Sequence, residues 1–251
     1  MPRIPTSLIL IVHVLMMFAA PAVLADSETP LRVGLYPGIA PYVMETNPPS
    51  GIDVELVQDL GRRLGRAIEL TMLPPARLSR MVLAGQLDMH MLHGTTGMGC
   101  TITQPLSFWS DGITVGENVR EQVKSVQDLN GLQVAVYPAG EAFLRNQLNS
   151  LGATDAIVVV VPKTQLMVNM LLRNRIDAMF SEARITRYLL RLDPSSADVE
   201  LPEPLMQFPD DHRLCVGDPV LAEKVDTAID AQLAEGLFDR LAQKYIGPPA
   251  H

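Results

Sequence analysis

LRVGLYPG (residues 31–38), GIDVELVQDLGRRLG (51–65) and IELTM (68–72) read in succession as strand, helix and strand. Leu31–Tyr36 alternates into a Pro-Gly stop. Val54, Val57, Leu60 and Leu64 then recur at three- and four-residue spacing, which makes one buried helical stripe. Asp53 stands where a side chain can cap the first free amides, and Gly65 permits the left-handed turn that ends the helix. Arg77–Ala84 predicts a second helix and Asp88–Leu92 a third strand. Strands joined by helices at this spacing pair in parallel, so the chain is α/β.

The pattern restarts after Asn130-Gly131. Leu132–Val136, Ala156–Val161 and Ala178–Phe180 read as strands, and Glu141–Leu148, Gln165–Leu172 and Glu182–Leu190 as helices. Residues 193–211, rich in proline and acids, read as a returning loop. Arg213–Gly217 is a further strand, and Pro219–Leu233 and Leu237–Tyr245 close the chain as helices. The second half rebuilds the architecture of the first.

Ahead of this duplication lies an apolar run, Leu8–Ala20, broken once at His13 and preceded by Arg3, with Val23-Leu24-Ala25 offering small residues to a signal peptidase. The run is shorter than the roughly 20 residues that span a bilayer. Residues 1–25 therefore read as a signal peptide, and the absence of cysteine near the cleavage point gives no sign of a lipid anchor. With 20 Lys and Arg against 28 Asp and Glu, the chain is acidic, which repels phosphate backbones and excludes nucleic acid as a natural partner. Export makes a bridge between the two cysteines, Cys100 and Cys215, permissible; the alternative is a pair of buried thiols.

LRVGLYPGIAPY (31–42), GIDVELVQDLGRRLG (51–65), LAGQLD (83–88), DLNGLQVAV (128–136), RNRIDAMFSE (173–182) and VGDPVLAEKVDTAIDAQLAEGLFDRLAQKYIG (216–247), in this order and spacing, resemble periplasmic solute-binding proteins of family 3, typified by the amino-acid receptors of ABC transporters. The resemblance implies the type II periplasmic-binding-protein fold, two α/β lobes joined by two crossing hinge strands. It puts lobe 1 at 26–114 plus 212–251 and lobe 2 at 115–211. It further implies a periplasmic monomer that binds a small-molecule ligand without a cofactor and meets an inner-membrane ABC permease.

Tyr42 falls where the family supplies an aromatic wall, although a ring packed over the lobe 1 sheet is the other reading. His93, Thr95 and Thr96 enter the loop that crosses the cleft floor in the family. Its amino-acid receptors follow that loop with an arginine for the ligand's α-carboxylate, whereas this chain has none before Arg120. Gly140 and Glu141 open a helix after a strand, either as an anion-facing amide turn or as an ordinary connection. Glu182 keeps the spacing of the acid that receives a ligand's ammonium group, or caps the helix beside it. Loss of the arginine with retention of this acid leans toward an amine-bearing or largely neutral ligand. Phe108 and Trp109 add wall or fill the hinge, and His212 reads as polar surface.

Met89, His90, Met91, His93, Met98 and Cys100 are soft donors on composition, yet strand alternation sets Met89 and Met91 opposite His90, so no metal site is expected. No nucleophile–base motif appears, and the chain reads as a binding protein rather than an enzyme. The alternatives are an accessory periplasmic factor of a redox or metal-handling system, and a dehydratase-like enzyme on the same fold using Glu182 or His93.

Overall fold

The computed structural model describes residues 29–93, 99–196, 199 and 201–247. The expected signal peptide, 1–25, lies outside them.

In the first sheet β1 (Leu31–Leu35) lies between β2 (Ile68–Met72) and β3 (Met89–His93), and all three run parallel. The second sheet repeats this around β6 (Gln133–Val136), flanked in parallel by β7 (Ile157–Val160) and β8 (Ala178–Glu182). Each sheet then gains an antiparallel fourth strand. β10 (His212–Val216) pairs with β3, and β5 (Ser110–Val115) pairs with β8. Two short edge strands complete the sheets, β4 (Thr101–Ile102) beside β10 and β9 (Gln207–Pro209) beside β5.

The chain passes between the sheets twice, and the two passages bond to each other. The Leu106 and Ser107 amides donate to the His212 carbonyl, the His212 amide donates to Ser107, and the Asp210 amide donates to Trp109 at 2.9 Å. This antiparallel ribbon is the pair of crossing hinge strands. Because β5 already belongs to the second sheet, the first crossing falls between Ser107 and Ser110, a few residues before the expected boundary at 114.

The helices are α1 (Ile52–Arg63), α2 (Pro75–Leu83), α3 (Glu141–Ser150), α4 (Thr164–Leu172), α5 (Ala183–Leu192), α6 (Pro219–Ala234) and α7 (Leu237–Ile246). α1 buries Val54, Val57 and Leu60, as its spacing requires, in a core shared with Val225 and Ile229 of α6. Gly51 precedes α1 at φ 127°, and a Cβ there would meet the Tyr42 carbonyl oxygen at 2.3 Å, so only glycine fits. α5 follows a second-lobe strand, yet its Ile185 belongs to the apolar core of the first lobe and its flank packs on α7.

Cys100 and Cys215 form a disulfide across 115 residues, tying the segment that enters β4 to β10. The Cys100→Ser/Cys215→Ser variant is expected to lose about 2–4 kcal/mol of stability in denaturant titration, the usual range for a long closed loop.

Candidate functional site

Tyr36 directly follows β1, Tyr137 directly follows β6, and Glu182 ends β8, so each stands at the carboxyl end of a parallel strand, where open α/β sheets hold ligands. The most deeply placed polar group beside them is a pair that the sequence reading undervalued. His212 Nδ1 lies 2.6 Å from Asp53 Oδ2, and both side chains are fully buried. Asp53 does not cap α1: the residue at the cap is Gly51, and no side-chain bond closes that end. His212 is not polar surface either. Its Nε2 meets the Tyr36 hydroxyl at 3.2 Å, and Trp109 stacks on its ring with centroids 4.9 Å apart. The imidazole is thus engaged through both ring nitrogens, Nδ1 with the carboxylate and Nε2 with the Tyr36 hydroxyl.

Across the hinge the Tyr137 hydroxyl donates to Asp111 Oδ2 at 2.7 Å. Burial raises the Tyr36 phenol far above its usual range, with Asp53, Asp210 and Asp111 adding to the effect, and the Tyr137 phenol is raised by burial and by Asp111 and Asp210. Both phenols are therefore neutral hydrogen-bonding groups. Neither tyrosine, nor Asp111, nor Asp210 was picked out from the sequence, although the repeated strand-Tyr-Pro pattern of VGLYPG (33–38) and VAVYPAG (134–140) was there to find.

The expected contacts fare differently. Tyr42 is a fully buried ring in the core of the first lobe, close against Gly51, and its hydroxyl donates to the Phe108 carbonyl at 3.3 Å. Phe108 turns outward onto Phe238 of α7, centroids 5.3 Å apart, while Trp109 packs inward between Tyr42 and His212. The Gly140 amide is used locally, donating to the Tyr137 carbonyl at 3.0 Å, and the Tyr137 ring lies where a Gly140 Cβ would project. Glu141 pairs with Arg145 one turn on. Thr95, Thr96 and the His93 side chain lie outside the described residues.

Glu182 caps its helix, the second reading of its position, and also carries a cation of its own chain. Oε2 accepts from the Ile185 amide at 2.8 Å, capping α5, and Oε1 receives Arg184 Nη1 at 3.0 Å. Arg184 in turn donates to the Phe108 carbonyl and lies 5.2 Å from the Phe238 ring centroid. Burial pushes the Glu182 carboxyl up to about 7, against the pull of Arg184 and the capping amides.

Met98 and the His93 side chain lie outside the described residues, and the other soft donors are separately engaged. Met89 and Met91 lie in the core, His90 Nε2 meets Ser79 Oγ at 3.2 Å, and Cys100 is oxidised. A groove of about 670 Å³ bordered by Arg32, Arg66, Asp88 and Lys224 lies at the opposite end of β1 from Tyr36.

No protein-family model matches the chain, and no curated protein matches it. Solved structures do. The GluR0 ligand-binding core in complex with L-glutamate superposes with a TM-score of 0.70 at 18% identity, covering 87% of this chain and 98% of that one. An ancestral cationic amino acid solute-binding protein gives 0.69 at 21%, covering 87% and 95%. Substrate-binding domain 2 of Lactococcus lactis GlnP in its open conformation gives 0.65 at 17%, covering 90% and 98%. The fold is thus the two-lobe type II periplasmic-binding-protein architecture with crossing strands.

Two outcomes test the site's energetics. Asp53→Ala removes the acceptor of a fully buried imidazole N–H, and chemical denaturation should show a loss of about 3 kcal/mol. The folded protein holds the Glu182 proton up to about pH 7, whereas the unfolded chain releases it near 4.5. Between those values the folded state binds more protons, so stability falls as pH rises through the window and levels off above it. Glu182→Gln should flatten that decline, which amounts to about 3 kcal/mol at most.

Proposed function

We propose that this chain is a solute receptor of the periplasm that closes its two lobes on a small polar molecule and delivers it to an ABC permease of the inner membrane. The observation that carries this reading is that each lobe sets a tyrosine hydroxyl on a hinge-side polar group, Tyr36 on His212 in one and Tyr137 on Asp111 in the other. Polar groups from both halves are then brought onto one guest by closure, which removes water and strengthens each charge-assisted contact. The apolar leader at 1–25 supports the location. Two similar structures support the partner, one titled the substrate-binding domain of a putative amino acid ABC transporter and the other an ABC transporter substrate-binding protein bound to L-arginine. At 20% identity each, they support a class and leave the solute itself to be read from this chain's own residues. The role is non-catalytic, and a single chain forms the receptor.

A dehydratase is the second reading. One similar structure is an ancestral amino-acid-binding protein titled a precursor of cyclohexadienyl dehydratase. Glu182, poised near neutrality, is also a group able to exchange a proton. The binding reading is preferred because both Glu182 oxygens are committed to Ile185 and Arg184.

Thermal unfolding of the purified protein with amino acids, amines and organic acids tests the receptor reading. A solute at about 100 times its Kd adds roughly 2.7 kcal/mol, which for a chain of this size is about 5–10 °C in Tm. X-ray scattering should show compaction with the same solute. Turnover of a cyclic acid, without compaction by any bound solute, would favour the enzyme.

A further inference from the structure

The outer strands of the two sheets are β2 and β4 in the first and β7 and β9 in the second. Three of these edges are guarded against another chain by their own sequence. β4 has only two residues, β9 has three and ends in Pro209, and β2 carries the charged Glu69 within it. β7 is different. Ile157-Val158-Val159-Val160 holds no charge, and Ile157 and Val160 are 51% and 41% exposed. Its faces are already covered, since Val158 packs on the core beside α3 and Val159 on the core beside α4. What remains open is the row of backbone groups along its outer side.

The direction of those groups is fixed. The Ile157 and Val161 amides donate to the Leu132 and Val136 carbonyls at 2.8 Å, and β7 runs parallel to β6 throughout. Backbone polar groups alternate sides along a strand, so Ile157, Val159 and Val161 bond inward while Val158 and Val160 point outward. Among the described residues no strand or loop backbone bonds to that outer side. The row also has defined ends. Pro162 lacks an amide hydrogen, and the Ala156 amide donates to the Ala153 carbonyl at 3.3 Å.

Two copies related by a dyad through one continuous sheet pair antiparallel with like faces together, so opposed residues are both odd-numbered or both even-numbered. A dyad at Val159 sets Val158 against Val160 of the second copy and lets each such pair exchange its amide bonds. Moved to Val158, the ladder would call on the Ala156 amide, which is taken; moved to Val160, it would call on Pro162, which has none. The dyad at Val159 also lays Asp155 opposite Lys163 of the second copy at both ends of the ladder. Both residues are exposed, and neither has an ion-pair partner among the described residues.

We propose that β7 is the interface for a second copy of this chain, joining two second-lobe sheets into one across a two-fold axis at Val159, with Asp155 and Lys163 pairing at each end. A second copy is the fitting occupant because a two-fold interface must complement itself, and an apolar edge flanked by one acid and one base does so. This goes beyond the solute-receptor reading and does not depend on it. β6 and β8 separate β7 from β5, the strand that leaves the hinge, so pairing leaves the hinge of each copy untouched.

Sedimentation equilibrium of the purified protein, from micromolar to millimolar concentration, should show a reversible monomer–dimer equilibrium. Lys163→Glu sets acids opposite each other at both ends and should raise the dimer Kd about tenfold or more. Asp155→Lys/Lys163→Glu restores opposite charges and should recover the dimer. Because both side chains are exposed, these variants keep the fold. Hydrogen exchange supplies a second readout: the Val158 and Val160 amides should slow as dimer forms, while the Val159 amide, bonded to β6, stays protected at every concentration. A monomer throughout overturns the proposal, as does a dimer that K163E leaves unchanged. Protection of the Val158 and Val160 amides in the monomer would put another segment of the same chain on this edge, and overturns it too.

Discussion

A carboxylate and an imidazole, both fully buried and 2.6 Å apart, hold the place where the two halves of this chain meet. Asp53 stands in the first turn of α1 and His212 at the first residue of β10, so one bond fixes a helix start against the point where the chain returns through the hinge. Taking two such groups out of water is costly, and the arrangement persists only where geometry and further contacts compensate. Here Tyr36 meets the second imidazole nitrogen, and the rings of Trp109 and Tyr42 enclose the histidine. Because His212 also pairs with Ser107 through the backbone, the same residue anchors the crossing ribbon and bonds the Tyr36 phenol.

The second constraint is the way α5 is shared. By connectivity it belongs to the second lobe, since it follows β8. By packing it belongs in part to the first, through Ile185, through its seam with α7, and through the Tyr188 hydroxyl on Met44 Sδ. Arg184 is the polar centre of that seam, tied to Glu182 below it and to the hinge carbonyl of Phe108. Any motion of one lobe against the other has either to turn about this packed edge or to break it. A buried carboxyl held near neutrality inside the seam makes its electrostatics sensitive to pH as a matter of structure, independent of any guest.

The repeated architecture was legible because each unit is written locally. β2 falls at 68–72, as its alternation indicates, and α1, α3, α4 and α6 begin and end within a few residues of their apolar stripes. β5 and β9 were not legible. SDGITV (110–115) has glycine and aspartate inside it, QFP ends in proline, and both become strands only because β8 and then β5 supply partners already in place. At the site, Glu182 could be read as a cap because capping is a matter of a few residues' spacing. Asp53 was misread for the same reason: a first-turn acid looks alike in sequence whether it caps its helix or reaches a histidine 159 residues away.

The sequence alone determined two rounds of strand, helix and strand, an acidic composition, and a stretch free of lysine and arginine between Arg80 and Arg120. These are properties of composition and of periods of two and 3.6 residues, which any short window carries. Only the tertiary structure decided which cysteines, acids and rings meet. It joined Cys100 to Cys215, buried Tyr42, gave Glu182 its own cation and set Tyr36 beside His212. Those meetings depend on contacts between residues far apart in the chain. They are selected by burial and shape once the sheets have formed, and no local period encodes them.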